Sequence, residues 1–166
     1  MLCNKITIRS SVEADAKMIR KVERKAFGRK SEANLVDMLI PAPEFTISLV
    51  AECDGEIIGH VLMTEIRAPA KSLALAPLAV VSKYREMQVG SELVRSALKI
   101  AKEVGFEAVF VLGDLGYYER FGFSSQLADP FEVEWQGKQF MALELKDGAL
   151  RNKKGPLNYP EPFFNL

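Results

Sequence analysis

The sequence is short of the residues that metal centres and disulfide scaffolds need. Among 166 residues there is one histidine, and the only two cysteines, Cys3 and Cys53, stand far apart without a CxxC pair. That spacing fits neither a zinc site nor a disulfide framework, so no metal is expected and a reducing, cytoplasmic setting is. A charge excess is also missing: Lys+Arg and Asp+Glu number 22 each. No net field draws polyanions, and nucleic acid is not expected as a partner. No run approaches the roughly 18 apolar residues of a membrane span, and MLCNKITIRSS lacks the apolar stretch of a secretory leader. Neither membrane insertion nor export by that route is expected. Repeats and low-complexity blocks are absent too.

What is present is ordinary folded-domain composition, 48% hydrophobic and 27% charged. A chain of this length buries roughly 70% of its unfolded surface, which suits one domain over residues 1–166. Alternation over 5–9 predicts a strand, and Ser10 or Ser11 could cap a helix from Val12 with Ala14, Met18, Val22 and Phe27 inward. Lys17, Arg20, Lys21 and Arg24 would then form its solvated face. A second helix should start at Ser31, carry Leu35, Val36, Met38 and Leu39, and stop at Pro41 and Pro43. Runs 45–52 and 57–66 flank Asp54-Gly55, a hairpin signal. Next come a strand over 73–80, a helix over 90–104 closed by Gly105, a doubly buried strand over 108–112, and a helical turn near 117–121. Strands over 131–135 and 139–145 precede a Pro- and aromatic-rich tail. The pattern is α+β with a mixed, mainly antiparallel sheet. Met18, Met38, Met63, Phe110 and Trp135 are expected in the core, while Tyr159, Phe163 and Phe164 could line an acceptor pocket or seal the sheet edge.

Chemistry concentrates between Pro77 and Leu98, where a strand end, a polar loop and a helix start follow one another. Free N–H groups at a helix N-terminus converge on an anion, and Gly90 allows close approach. Lys83 and Arg85 could add charge contacts. The loop Arg85-Glu86-Met87-Gln88-Val89-Gly90 is similar to the acyl-CoA-binding motif of the GNAT superfamily, in which Gln or Arg is followed by two residues, Gly, one residue, then Gly or Ala. Downstream, Gly113-Asp114-Leu115-Gly116-Tyr117-Tyr118-Glu119-Arg120-Phe121-Gly122-Phe123 resembles its second signature, Tyr-x-x-x-Gly-Phe, in the form found in the YhbS-like branch. Phe27-Gly28-Arg29, the stretch from Asp54 to Val61 and the closing Gly155 to Phe163 also resemble that branch, so the likeness covers nearly the whole chain.

The resemblance implies a V-splayed sheet of about seven strands and transfer of an acetyl group from acetyl-CoA to a primary amine by direct attack in a ternary complex. The amine would belong to a small molecule or a protein, and the oligomeric state, monomer or homodimer, stays open. It places Leu78, Ala79 and Val80 along the pantetheine arm, with Arg85, Gln88, Val89, Gly90, Ser91 and Tyr117 around the cofactor loop. It makes Tyr118 the general acid at the departing sulfur and the Val80 amide the donor to the carbonyl oxygen. Gln88 replaces the first Gly of the loop, where it could obstruct the pyrophosphate or point outward. A carboxylate found in many relatives is missing before Pro77; Glu32 and His60, as residues binding the substrate amine, together with Glu65 or water are the alternatives for the base. A CoA-binding or sensing domain without turnover is the competing reading.

Overall fold

The structure, a computed structural model, describes Cys3 and residues 5–165. Strands β1 (Ile6–Ser10), β2 (Thr46–Cys53), β3 (Glu56–Ile66), β4 (Ser72–Val80), β5 (Ala108–Leu112) and β7 (Phe140–Glu144) form one sheet in the order β1-β2-β3-β4-β5-β7. Its pairs are antiparallel except β4 with β5. The parallel pair is bridged by helix α3 (Val89–Glu103), because parallel neighbours require a crossover. Helices α1 (Ala16–Phe27) and α2 (Ser31–Leu39) cover the opposite face. The expected α+β architecture is present, with six strands in the main sheet.

Two cores follow from strand alternation. On one face Leu93, Val94 and Ala97 of α3 pack with Leu49, Val61 and Met63; on the other Ile19, Val22, Leu35 and Leu39 pack with Val50, Leu62 and Phe110. Each fully buried Val, Leu or Phe contributes roughly 1.5–3 kcal/mol. Gly59 of β3 lets α3 settle onto the sheet, since a Cβ there would lie 3.0 Å from Leu93 and 3.1 Å from Val89. The Asp54-Gly55 turn closes the β2–β3 hairpin with φ of 51° and 81°, the double left-handed geometry that matches strand twist.

Several expectations are corrected. Helix α1 turns Ile19, Val22 and Glu23 inward, leaving Met18 and Phe27 38% and 39% exposed, and Met38 of α2 is 40% exposed. Leu35 and Leu39 already fill the space on α2, and the inward stripe of α1 runs through Ile19. Neither Ser10 nor Ser11 caps α1. A 3₁₀ turn (Glu13–Asp15) precedes it, and Asp15 accepts the Val12 amide at 2.8 Å while Arg9 donates to both its oxygens. The expected strand over 131–135 shrinks to β6 (Phe131–Glu132), which pairs in parallel with β8 (Gly155–Pro156) outside the main sheet. Cys3 and Cys53 are paired as a disulfide, with Cα atoms 6.0 Å apart. The antiparallel register sets Ile6 opposite Cys53 and so returns the start of the chain to the end of β2. Among the described residues no helix is long and apolar enough to cross a membrane.

Candidate active site

The sheet splits along one line. Strand β4 pairs with β5 only from Ser72 to Leu75, opposite Ala108 to Val111, and then continues to Val80 while β5 stays with β7. Pro77, which has no N–H to give a ladder, lies just beyond the last pair. The Val81 amide donates to the Ile58 carbonyl at 2.9 Å and Gly59 stands opposite Val80. Antiparallel alternation therefore turns the N–H and C=O groups of Leu78 and Val80 away from β3, into the gap.

At the end of β4 a 3₁₀ turn (Ser82–Met87) leads to Gln88 and α3. Gln88 takes φ 63° and ψ 20°, a left-handed conformation that glycine adopts freely and other residues hold at a cost of about 1 kcal/mol. The first helical bond of α3 runs from the Glu92 amide to the Gln88 carbonyl, so the amides of Val89, Gly90 and Ser91 precede the ladder; Val89 itself is buried, while Gly90 and Ser91 border the cleft. Arg85 ties this loop down by donating to the carbonyls of Val80 at 3.2 Å and Ala26 at 3.1 Å. Arg120 stacks over Tyr117, 4.4 Å from its ring centre, and donates to Ser91 Oγ at 3.0 Å. A Cβ on Gly90 would come within 2.7 Å of the Tyr117 hydroxyl, so a larger residue there would displace that side chain. Arg85, Gly90, Ser91, Tyr117 and Arg120 line a cleft of about 460 Å³ that also includes Phe27, Leu78, Ala79, Val80 and Gln88. Two guanidinium groups, a helix N-terminus and a free strand edge suit a ligand that carries phosphates at one end and amides along its length. Lys83 lies over the Tyr84 ring instead, outside this lining.

A second cavity, also of about 460 Å³, opens on the α1–α2 side of the gap. Phe27 and Leu78 line both cavities, so they meet where the strands part. Tyr118 stands in the second one, 9% exposed, its ring laid on Gly113, where a Cβ would lie 2.7 Å from it. Asp114 caps the short helix α4 (Leu115–Glu119) by accepting the Tyr117 amide at 3.2 Å. The Gly-Asp pair thus clears and aims the tyrosines. Burial first, then the nearby Tyr117 and Asp114, pushes the Tyr118 phenol above its ordinary value. Glu32, at the start of α2, also lines this cavity, and Arg29 donates to it at 3.0 and 3.2 Å through Nε and 2.5 Å through Nη2. Those bonds hold its carboxyl below the usual range against the opposing effect of burial.

His60 does not reach either cavity. It is fully buried under α1, with Nδ1 2.7 Å from Glu23 Oε2 and Nε2 3.0 Å from Ser48 Oγ. Its strand position points it at the sheet face that α1 covers, so the expected place beside an acceptor cavity is not the one it takes among the described residues. Glu65 is likewise absent from both linings. Lining residues that carried no expected role at the site include Arg120, Phe27 and Trp135, the last expected in the core and found half-buried in the second cavity. A cation two residues before the Gly122-Phe123 pair was the available signal for Arg120.

The family model described as Acetyltransferase (GNAT) family matches residues 16–123. The chain is 35% identical over 162 residues to the uncharacterized N-acetyltransferase YhbS of Escherichia coli strain K12, covering 94% of this chain and 97% of that protein. It is 36% identical over 137 residues to the uncharacterized N-acetyltransferase YjhQ of the same strain, covering 78% and 75%. The crystal structure of Escherichia coli YhbS in complex with CoA superposes with a TM-score of 0.90 at 33% identity, covering 96% of this chain and 92% of that one. A GNAT family acetyltransferase from Brucella melitensis in complex with acetyl-CoA superposes with a TM-score of 0.80 at 29% identity, covering 96% and 98%.

Proposed function

Because this chain belongs to the acetyltransferase (GNAT) family, we propose that it moves an acetyl group from acetyl-CoA to a primary amine by direct attack in a ternary complex. The observation that carries the reading is the meeting of two cavities at Phe27 and Leu78, one equipped for phosphates and amides, the other holding Tyr118 and Glu32. Acetyl-CoA supplies an activated thioester when bound. The amides of Val89, Gly90 and Ser91, with Arg85 and Arg120, would hold its pyrophosphate, while Leu78 and Val80 offer main-chain groups to its amide-bearing arm. Gly90 keeps that approach open.

The Val80 amide, directed into the gap, would donate to the carbonyl oxygen as negative charge builds on it. Glu32, a carboxylate at neutral pH whose ionised form Arg29 further favours, attracts the ammonium form of an acceptor. The amine must shed one proton before attack, to Glu32 or to water. A second proton leaves nitrogen as the amide forms, and the departing thiolate needs one, so the bookkeeping closes. Tyr118, a neutral phenol that burial keeps from ionising, donates a hydrogen bond to the leaving sulfur and relays that proton.

The test is a thiol-release assay on Tyr118→Phe together with calorimetric titration of acetyl-CoA. We expect turnover to fall roughly 100-fold or more with the binding constant unchanged. Full turnover in the variant removes Tyr118 from the mechanism. Binding by the natural protein without thiol release across a broad amine panel would instead favour a CoA-holding domain, the reading that Gln88 in the loop motivates.

A further inference from the structure

The second cavity is apolar in an uneven way. Its floor and one wall are the buried Leu35, Phe110 and Phe163, and its rim is the half-buried pair Trp135 and Tyr159, packed edge to face at 4.8 Å. Tyr159 in turn packs on Phe163 at 5.1 Å, so the tail forms a continuous aromatic wall. The charged groups lining it are Glu32, Asp114 and Arg29. The guanidinium of Arg29 is committed to Glu32 through three contacts, so among the described residues the lining carries one net negative charge, with Asp114 as the carboxylate that no cation pairs. A volume of about 460 Å³ falls in the range of roughly 300–1,000 Å³ that small ligands occupy.

From these features we infer that the acceptor is a primary amine carried on an apolar, ring-sized body, with no carboxylate beside the amine. The inference rests on the acetyltransferase reading for the direction in which the amine points, towards Phe27 and Leu78. An aromatic or branched apolar body would stack between Trp135, Tyr159 and Phe110, whose faces and edges favour such packing. Its ammonium would meet Glu32 and Asp114. Polyamines would bring two ammonium groups to a lining whose net charge is a single negative one, and amino acids would add a carboxylate to it.

Trp135 is the only tryptophan in the chain, so its fluorescence reports occupancy directly. The experiment titrates phenethylamine, cadaverine and phenylalanine into the protein, with and without CoA, following Trp135 emission, while calorimetry follows CoA itself. We expect phenethylamine to change the emission saturably and to bind at least tenfold more tightly than the other two. Tyr159→Ala should weaken it about tenfold. Equal or tighter binding of cadaverine or phenylalanine, or no saturable change with phenethylamine, overturns the inference. Failure of CoA to bind counts against the acetyltransferase reading, and the amine titration without CoA still judges the cavity by itself.

Discussion

At the scale of single residues, Gln88 and Glu23 are held against their own preferences. Gln88 sits at φ 63° in the loop where the family pattern has glycine. Gln88→Gly should stabilise the fold by about 0.5–1 kcal/mol, because glycine relieves the left-handed strain while losing some chain entropy. It should also tighten acetyl-CoA binding, since no side chain then borders the pyrophosphate. A lower melting temperature with weaker calorimetric binding would contradict both expectations. Glu23 is buried at zero exposure, with Oε2 on His60 and Oε1 without a partner among the described residues. Burial raises its carboxyl above the ordinary value, opposed by the hydrogen bond and charge of His60. A raised folded-state pKa contributes stability that is complete below the unfolded value, near 4.3, and is lost as pH climbs through the folded value. Glu23→Gln removes that loss and keeps an acceptor for His60. Its stability relative to the natural protein should therefore improve as pH rises from 4 towards 7, as read by urea denaturation; a relative decline over that window would refute the assignment. Gln88 was visible in the sequence as a departure from a motif. Glu23 was not, because its partner lies 37 residues away on another element.

Among the elements, α3 links the sheet to the ligand cleft. Its N-terminal amides face the cleft, and its Val89 and Leu93 rest on β3 above Gly59. Gly59→Ala would press a methyl group against both side chains and the Ala79 carbonyl, 3.3 Å from the added atom. Overpacking of this kind costs about 1–3 kcal/mol. Because the strain falls at the first turn of α3, the substitution should also weaken CoA binding without touching the ligand. Thermal unfolding and calorimetry check it, and unchanged affinity beside reduced stability would mean that the loop moves independently of the sheet. The existence of α3, the β2–β3 hairpin and β5 was legible from periodicity and turn residues, since each packs as its local pattern demands. The inward face of α1 was not: Met18 and Phe27 match a helical repeat as well as Ile19 does, and only the sheet decides which stripe is buried. The strand expected over 131–135 fails for a similar reason, because β5 takes its outer partner from residues 140–144 instead.

Across the whole molecule, the two halves of the main sheet, β1 to β4 and β5 with β7, are joined by four paired residues between β4 and β5. The paired signatures made such a splay legible, one on each side of the gap, but the aromatic lining from the tail was open in the sequence because Pro-rich chain has no period to read. Arg85, Gln88 and the amides of α3 belong to the first half, while Tyr117 and Arg120 follow β5 and belong to the second. A ligand in the cleft therefore bridges both halves and should oppose their separation. At 100-fold excess over its dissociation constant a ligand adds about 2.7 kcal/mol, and a domain of this size moves roughly 2–4 °C per kcal/mol. Acetyl-CoA should accordingly raise the melting temperature by about 5–10 °C at that excess. Adenosine 3′,5′-bisphosphate, which lacks the pantetheine arm and one phosphate of the pyrophosphate, cannot reach along Leu78 and Val80 and should give a clearly smaller shift at equal concentration. Equal shifts from the two ligands would place all of the binding energy at the loop and remove the free edge of β4 from recognition.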